Sequence, residues 1–225
     1  MISIILPAYN EEKNIGPAID DISNFLNKIK ELFEIIIVDD GSKDGTAEVL
    51  NEYKKRNNII VITHPKNLGY GAALRSGFTK ACGDLIFFTD SDRQFDMHDI
   101  KLFLEKIKDY DFIVGYRENR KDSFLRTLYA SFFRIISHIL LGVNVKDVNC
   151  AFKIFKADTV KSLPLFSSGA LINLEIFVQA KKKKYKFIEL PVKHFPRQYG
   201  KQTGGSPKIL FKALFSLFSL WINTR

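Results

Sequence analysis

The chain has few of the residues that hold small secreted or zinc-binding domains together. Its 225 residues include two cysteines, Cys82 and Cys150. Two cysteines cannot build a framework of several disulfides, and no histidine or cysteine spacing typical of zinc sites is present. We therefore expect a fold held by a hydrophobic core, in a reducing, cytoplasmic location.

Long hydrophobic runs and a leader sequence are also lacking. No uncharged apolar stretch reaches the ~18 residues that a membrane-spanning helix needs. The segment Met1-Ile2-Ser3-Ile4-Ile5-Leu6-Pro7 reads as a first β-strand, without a basic leader or a cleavage site. These absences predict a protein that is not exported by the secretory route and is not inserted across a bilayer.

The turn after the first strand, Pro7-Ala8-Tyr9-Asn10-Glu11, lacks the Gly-x-Gly-x-x-Gly spacing of dinucleotide-binding folds, which disfavours a Rossmann oxidoreductase. The net charge of +9 favours anionic partners. Since no basic motif interleaved with aromatics and no helix-turn-helix pattern is present, we expect no nucleic-acid partner. The alternative from another functional class is a basic α/β module that binds nucleic acid. The run Lys181–Lys184 is interpreted as a solvated helix end or turn.

The sequence is rich in alternating strand and helix patterns. Apolar runs predict strands, and amphipathic segments between them predict helices. Such alternation favours a mostly parallel sheet with helices on both faces. We predict a single α/β domain over 1–208, followed by an amphipathic C-terminal segment over 209–225. The predicted strands are 3–7, 34–39, 59–63, 85–90, 111–115 and 186–190, and the predicted helices are 14–30, 46–56, 69–82 and 97–108.

Acidic pairs follow two of these strands. Asp39 and Asp40 come after one apolar run, and Asp90 and Asp92 come after Leu85-Ile86-Phe87-Phe88 and one threonine, Thr89. Ligands of open α/β sheets bind at the carboxyl ends of strands, and Mg²⁺ or Mn²⁺ prefers oxygen ligands shared with substrate phosphates. An isolated Asp-x-Asp is more often a solvated turn, but the buried strand before this one places it in the crevice. The sequence predicts a metal-assisted, nucleotide-binding enzyme.

Several motifs in order give the chain a resemblance to known enzymes. It resembles the family 2 glycosyltransferases of GT-A fold in Pro7-Ala8-Tyr9-Asn10-Glu11-Glu12, Val38-Asp39-Asp40-Gly41-Ser42, Asn67-Leu68-Gly69-Tyr70-Gly71 and Asp90-Ser91-Asp92-Arg93-Gln94. Its later part is similar to the polyprenyl-phosphate sugar transferases in Gly115-Tyr116-Arg117, Asp147-Val148-Asn149-Cys150-Ala151-Phe152-Lys153 and His194-Phe195-Pro196-Arg197-Gln198-Tyr199-Gly200.

This resemblance implies roles for individual residues. The nucleotide-sugar site would contain Pro7, Tyr9 and Glu11 beside the ribose and base, Val38 and Asp40 against the base, and Asp90 and Ser91 near the ribose and diphosphate. Asp90, Asp92 and Gln94 would hold Mg²⁺ or Mn²⁺. Arg117 and Arg197 would clamp phosphates, since a guanidinium offers them two parallel donors.

A general base is hard to identify from the sequence. None of His64, His98, His138 and His194 lies in a motif that would place it at the anomeric carbon, and we expect most of them in turns or at the surface. A lipid-phosphate acceptor is already ionised and needs no base, whereas a sugar hydroxyl would need a carboxylate such as Asp147.

The resemblance implies inverting, metal-dependent sugar transfer from a nucleoside diphosphate to a polyprenyl phosphate of the dolichyl or undecaprenyl type. The catalytic set would be Asp92, Arg117 and Asp147. Transfer to a saccharide hydroxyl is the alternative reaction.

Two segments carry wide apolar faces. Residues 124–141 and 209–222 are both too short to span a bilayer and place Lys or Arg on the polar side, which is typical of helices in a membrane interface. For 124–141, packing on the sheet is an equal alternative. For the C-terminal segment we expect the cytosolic face of a membrane, or a homo-oligomer interface.

Overall fold

The structure is a computed structural model that describes residues 1–118, 137–139, 141–200, 220 and 222. Within these residues one sheet of seven strands forms the centre of the molecule. Its strands are β1 (Ile2–Ala8), β2 (Phe33–Asp39), β3 (Ile59–Thr63), β4 (Leu85–Thr89), β5 (Phe112–Arg117), β6 (Phe152–Lys156) and β7 (Phe187–Val192). The strand order across the sheet is β3-β2-β1-β4-β6-β5-β7.

Helices connect most of these strands, as the sequence pattern predicts. They are α1 (Ile15–Lys28), α2 (Thr46–Tyr53), α3 (Tyr70–Lys80), α4 (Ile100–Lys106), α5 (Ala157–Lys161) and α6 (Ile172–Lys182). In α1 the buried residues Ile15, Ile19, Ile22 and Leu26 recur every three or four positions and face the sheet. This apolar stripe anchors the helix that follows the first strand.

The core of the sheet lies in β1 and β2. Ile4, Ile5, Ile35 and Ile36 have no exposed surface, because helices cover both faces of these strands. The neighbouring pairs β3–β2, β2–β1, β1–β4 and β5–β7 are all parallel. The prediction of a mostly parallel α/β sheet is confirmed.

Strand β6 departs from the parallel pattern. It lies between β4 and β5 and pairs antiparallel with both, so that Lys153 is opposite Phe88 on one side and Val114 on the other. The sequence pattern does not predict this strand, because a lysine in the middle of Phe152–Lys156 interrupts its apolar run. The tertiary structure tolerates the lysine by giving its ammonium group buried partners.

The chain order creates a crevice at the carboxyl ends of the central strands. From β1 the chain runs outward to β2 and β3, and then returns to the other side of β1 as β4. Such a reversal of strand order leaves an opening above the strands, where ligands of α/β sheets bind. The segments 9–11, 40–46 and 90–94 leave the sheet at this opening.

A loop from the second half of the chain closes on the start of α3. The amide of Gly71 donates to the carbonyl of Ser168 at 2.7 Å. A side chain at Gly69, whose φ is +102°, or at Gly71 would meet the backbone of Ser167 and Ser168. Glycine at both positions therefore lets the two halves of the chain approach each other closely.

The helix predicted over 124–141 and the segment predicted over 209–225 fall, apart from a few single residues, outside the described residues, and both stay predictions. In the part of the chain that the structure describes, we find no helix both long and apolar enough to cross a bilayer.

Candidate active site

Three charged side chains from distant parts of the chain meet at the opening of the sheet. Arg197 Nη2 donates to Glu11 Oε1 and Oε2 at 2.6 and 2.7 Å, and its Nη1 lies 3.6 Å from Asp92 Oδ2. Asn14 adds a hydrogen bond of 2.7 Å to Glu11. The structure thus brings together three of the residues that the resemblance assigns to the donor site.

The acidic turn after β4 is built by short local contacts. Ser91 Oγ donates to the carbonyl of Pro7 at 3.0 Å, which fixes the turn to the end of β1. Asp92 Oδ1 accepts from the amide of Gln94 at 3.2 Å. Arg93 has a φ of +60°, a left-handed conformation that reverses the chain between Asp92 and Gln94. Both carboxylates are therefore held at the crevice.

Both acids of this turn favour protonation. Burial and the charge of Asp92 raise the pKa of Asp90, and burial raises the pKa of Asp92 although the charge of Arg197 opposes it. Two carboxylates at one partly dry site repel each other unless a cation lies with them. This donor set fits Mg²⁺ or Mn²⁺, which one or two carboxylates hold together with substrate phosphates.

The described residues contain no group of three or more His, Cys, Asp or Glu side chains arranged around a common point. A cation here would thus depend on Asp90, Asp92 and ligand oxygens. Gln94, the third predicted ligand, is buried and donates through Nε2 to the carbonyl of Phe195 at 2.9 Å, while the Phe195 amide donates to the Gln94 carbonyl at 2.7 Å. These bonds tie the segment that carries Arg197 to the acidic turn, and the metal role of Gln94 stays a prediction.

Arg117 and Asp147 form a second ion pair. Arg117 Nε and Nη2 donate to Asp147 Oδ2 and Oδ1 at 2.6 and 2.9 Å, a bidentate geometry in which both side chains are nearly buried. Arg117 ends β5, and Asp147 lies in the loop before β6. From the sequence, the two residues have separate predicted roles: Arg117 as a phosphate clamp and Asp147 as a base. The structure makes them partners.

Asp40 lies beneath the loop that leads into α3. It accepts hydrogen bonds from the amides of Leu68 and Gly69 at 2.9 and 2.8 Å and from His64 Nδ1 at 2.7 Å. His64 Nε2 in turn lies 2.9 Å from Ser76 Oγ. Asp40 therefore holds this loop in place, a role that the sequence did not reveal, and its predicted contact with a base is untested.

His64 is an exception to the expectation that most histidines lie in turns or at the surface. Its side chain is buried between Asp40 and Ser76, whereas His98 is exposed. One feature of the sequence could have indicated this position. His64 lies three residues before Asn67-Leu68-Gly69, which begins one of the motifs that match the family 2 glycosyltransferases. A histidine packed under a glycine-rich loop is invisible to a search for catalytic motifs.

The other predicted donor residues lie at the same opening. Tyr9 is 40% exposed, so it can cover a ligand instead of packing in the core. Val38 is fully buried, and its predicted contact with a base stays a prediction. Tyr70, which belongs to one of the matching motifs but has no predicted role, lies beside Asp90, and its burial and that charge raise its pKa well above the ordinary value.

A cavity of about 450 Å³ opens on the side of Asp90 that faces α1. Its lining includes the aromatic residues Phe25, Phe95 and Phe195 and the polar residues Arg93 and Gln198. This volume lies within the range of small-molecule sites, ~300–1,000 Å³.

Comparison with known proteins shows which family the chain belongs to. The model of the family described as Glycosyl transferase family 2 matches residues 3–163. A dodecaprenyl-phosphate galacturonate synthase of Rhizobium johnstonii is 28% identical over 100% of this chain and 67% of its own length. A dolichyl-phosphate beta-glucosyltransferase of Trichomonas vaginalis is 33% identical over 85% of this chain and 64% of its own. The chain thus spans about two thirds of the length of these relatives.

Solved structures show the same architecture. Glucosyl-3-phosphoglycerate synthase of Mycobacterium tuberculosis, in complex with Mn²⁺, uridine diphosphate and phosphoglyceric acid, aligns with a TM-score of 0.76. The alignment covers 98% of this chain and 78% of that one, at 17% identity. At this identity the likeness shows the fold, which is that of GT-A glycosyltransferases.

Proposed function

The chain belongs to glycosyl transferase family 2 and is a glycosyltransferase, and on this premise we propose that it transfers a sugar from a nucleoside diphosphate to a polyprenyl phosphate. We propose further that transfer inverts the anomeric centre and needs a divalent cation. Three relatives are named for transfer involving dodecaprenyl, dolichyl or undecaprenyl phosphate, which supports this choice of acceptor.

One observation carries the proposal: an acidic pair at the strand-order reversal, in which Asp90 is half-buried and Asp92 is buried, has a guanidinium on its flank. Asp92 and Arg197 lie 3.6 Å apart at the closest atoms. The acidic pair alone would repel a diphosphate, and the arginine alone could be a surface residue. Together they suit a ligand that carries both phosphates and a cation.

The departing nucleoside diphosphate develops negative charge as the bond to the sugar breaks. A cation held by Asp90 and Asp92 would act as a Lewis acid on that charge. Arg197 can move from Glu11 to a phosphate oxygen without leaving the site, and its planar donors match the phosphate geometry. Fixed charges of this kind, oriented before the reaction, contribute strongly to catalysis.

A phosphate acceptor also agrees with the state of Asp147. Both oxygens of this carboxylate accept from Arg117, so taking a proton from a sugar hydroxyl would first require the ion pair to open. An acceptor phosphate is ionised at neutral pH and needs no base. Its oxygen would form the bond to the anomeric carbon while the bond to the donor's diphosphate oxygen breaks on the opposite side, which inverts the centre.

The test is a product assay on the purified chain. Nucleotide sugars are screened with a short-chain polyprenyl phosphate and, separately, with free saccharides, each with Mn²⁺ or with EDTA. We expect a lipid-phosphate sugar that forms with Mn²⁺ and is lost in Asp92→Ala. Asp109→Asn, which changes an exposed aspartate outside this turn, is the matched control and should keep its activity. A free oligosaccharide as the product would favour the hydroxyl acceptor, and full activity of Asp92→Ala would overturn the metal assignment.

The cytosolic face of a membrane is the proposed place of action, because a polyprenyl phosphate is confined to a bilayer. The alternative of a nucleic-acid-binding module is tested with the same material. Melting temperature measured with nucleotide sugars and with DNA would separate the two functions, and we expect a rise with nucleotide sugars only.

A further inference from the structure

A lysine lies in the middle of the protein core. Lys153 on β6 has no exposed surface, and its side chain lies between the rings of Phe88 and Phe177, with Nζ 5.2 and 5.9 Å from their centroids. Burial lowers its pKa to about 8. A buried ammonium group costs several kcal/mol unless hydrogen bonds satisfy it, so its presence calls for a reason.

The ammonium group is satisfied by three oxygens. Lys153 Nζ donates to the carbonyls of Val148 and Cys150 at 3.2 and 2.5 Å and to Asn173 Oδ1 at 2.8 Å. Its three N–H donors therefore match three acceptors. Two of these acceptors belong to the short loop that enters β6, and the third belongs to α6 on the other side of the core.

This loop carries the partner of Arg117. Asp147 lies immediately before Val148, and its own carbonyl accepts from the amide of Cys150 at 3.2 Å. The loop is thus a tight turn held from below by Lys153, with Asp147 presented at its start. Asp147 in turn receives Nε and Nη2 of Arg117 at 2.6 and 2.9 Å.

We propose that Lys153 is a positioning residue for phosphate binding: it fixes the 147–150 loop so that Asp147 orients the guanidinium of Arg117. The role of Arg117 in this chain of contacts rests on the proposed function. An apolar residue at position 153 would leave two loop carbonyls and the Asn173 amide oxygen without donors, and the loop would move to satisfy them with water. Arg117 would then lose its fixed partner while keeping its own side chain.

Lys153→Met removes the ammonium group at similar volume. Misplacing a group that orients a substrate by about 1 Å costs on the order of 100-fold, and we expect a loss of that order in kcat/KM of transfer. Asn173→Ala keeps the lysine but removes one of its acceptors. We expect a smaller displacement of the loop and a loss of roughly tenfold in kcat/KM. Lys161→Met is the matched control, because Lys161 Nζ also donates to a backbone carbonyl, that of Ala81, far from the site.

A double-mutant cycle separates positioning from general stability. If Lys153 acts through Arg117, the losses of Lys153→Met and Arg117→Lys should not add, and the double variant should transfer about as slowly as Arg117→Lys alone. Additive losses would overturn the proposal. Should Lys153→Met fail to fold by circular dichroism, the same cycle is run with Asn173→Ala, with the same two readings.

A second readout does not depend on catalysis. In ¹H–¹⁵N spectra of the arginine side chains, the Nε–H signal of Arg117, assigned by its absence in Arg117→Lys, should shift and exchange faster with water in Lys153→Met. An unchanged signal would overturn the positioning role. A wild-type protein that makes no sugar-lipid product would refute the proposed function instead, and the spectra would still decide the role of Lys153.

Discussion

Arg197 and Glu11 are joined by both carboxylate oxygens, at 2.6 and 2.7 Å, although 186 positions separate them in the chain. The pair closes the C-terminal side of the opening against the end of β1. It also holds a guanidinium within 3.6 Å of Asp92. Glu11 therefore keeps Arg197 oriented towards the place where the donor diphosphate is proposed to bind.

Arg197→Lys keeps the charge and loses the planar fork. We expect a loss on the order of 100-fold in kcat/KM, comparable with deletion of one transition-state donor. The measurement is a steady-state assay of sugar transfer. Arg56→Lys is the matched control, since the exposed Arg56 pairs with Asp20 at 2.8 Å, and it should stay within about twofold of wild type. Equal rates for the two variants would make Arg197 a surface residue.

The acidic turn predicts an unusual dependence of stability on pH. Because the folded state raises the pKa of Asp90 and Asp92, it favours their protonated forms. Their stabilising contribution is therefore present below the ordinary carboxyl value of 3.8 and is lost as the pH rises from there towards neutrality. Other carboxyls act oppositely: the hydrogen bond from the N-terminal amine lowers the pKa of Asp84.

The difference between wild type and Asp92→Asn isolates this effect. In EDTA we expect the melting temperature of Asp92→Asn to equal that of wild type in acid and to exceed it near neutral pH, because the variant lacks one of the repelling charges. With Mn²⁺ the wild type should gain stability and the variant should gain less. Parallel curves at all pH values, with and without Mn²⁺, would contradict both the repulsion and the metal site.

Asp40→Ala should weaken both the fold and the donor site. It leaves the amides of Leu68 and Gly69 without their acceptor, and we expect a loss of about 2–4 kcal/mol in the free energy of unfolding. Donor affinity should fall more than the rate at saturation, because a base contact is equal in ground and transition states. Denaturant unfolding and calorimetric titration measure the two quantities.

Asp109→Ala is the control for that variant, since Asp109 is exposed, and it should stay within about 0.5 kcal/mol of wild type. A variant at Asp40 with normal donor affinity and a reduced rate constant would argue against the base contact. A variant with unchanged stability would argue against the loop-holding role that the hydrogen bonds indicate.

The C-terminal segment 209–225 predicts binding to a membrane surface. We expect the full chain to float with liposomes that contain acidic lipid and a chain ending at Lys208 to float much less, because the truncation removes the Phe and Leu face. The truncation also removes two cations, Lys212 and Arg225. A full-length double variant, Lys182→Gln with Lys183→Gln, removes two cations elsewhere and should still float. Equal flotation of the full and truncated chains would make the segment a packing helix.

The sequence by itself was sufficient for the elements whose patterns are local. Apolar runs and amphipathic segments predicted β1 to β5, β7 and α1 to α4, because strand and helix periodicities depend on neighbouring residues. It was also sufficient to locate the acidic turn, since Asp90 and Asp92 follow a strand of buried residues. The resemblance then identified Arg117, Arg197 and Asp147 as candidate site residues, because each lies in a short motif that can be recognised from the sequence alone.

The tertiary structure decided which of these residues touch. Nothing local to position 11 reveals its partner at 197, and nothing local to position 117 reveals that its guanidinium is paired with Asp147. The antiparallel β6 and the buried Lys153 were invisible for the same reason: an ammonium group is stable in a core only where carbonyls distant in sequence surround it. The contact of His64 with Asp40, beneath the loop that leads into α3, is likewise not evident from the sequence. Ion pairs and hydrogen bonds between residues distant in sequence cannot be predicted from local patterns, because only the folded sheet brings their side chains within contact distance.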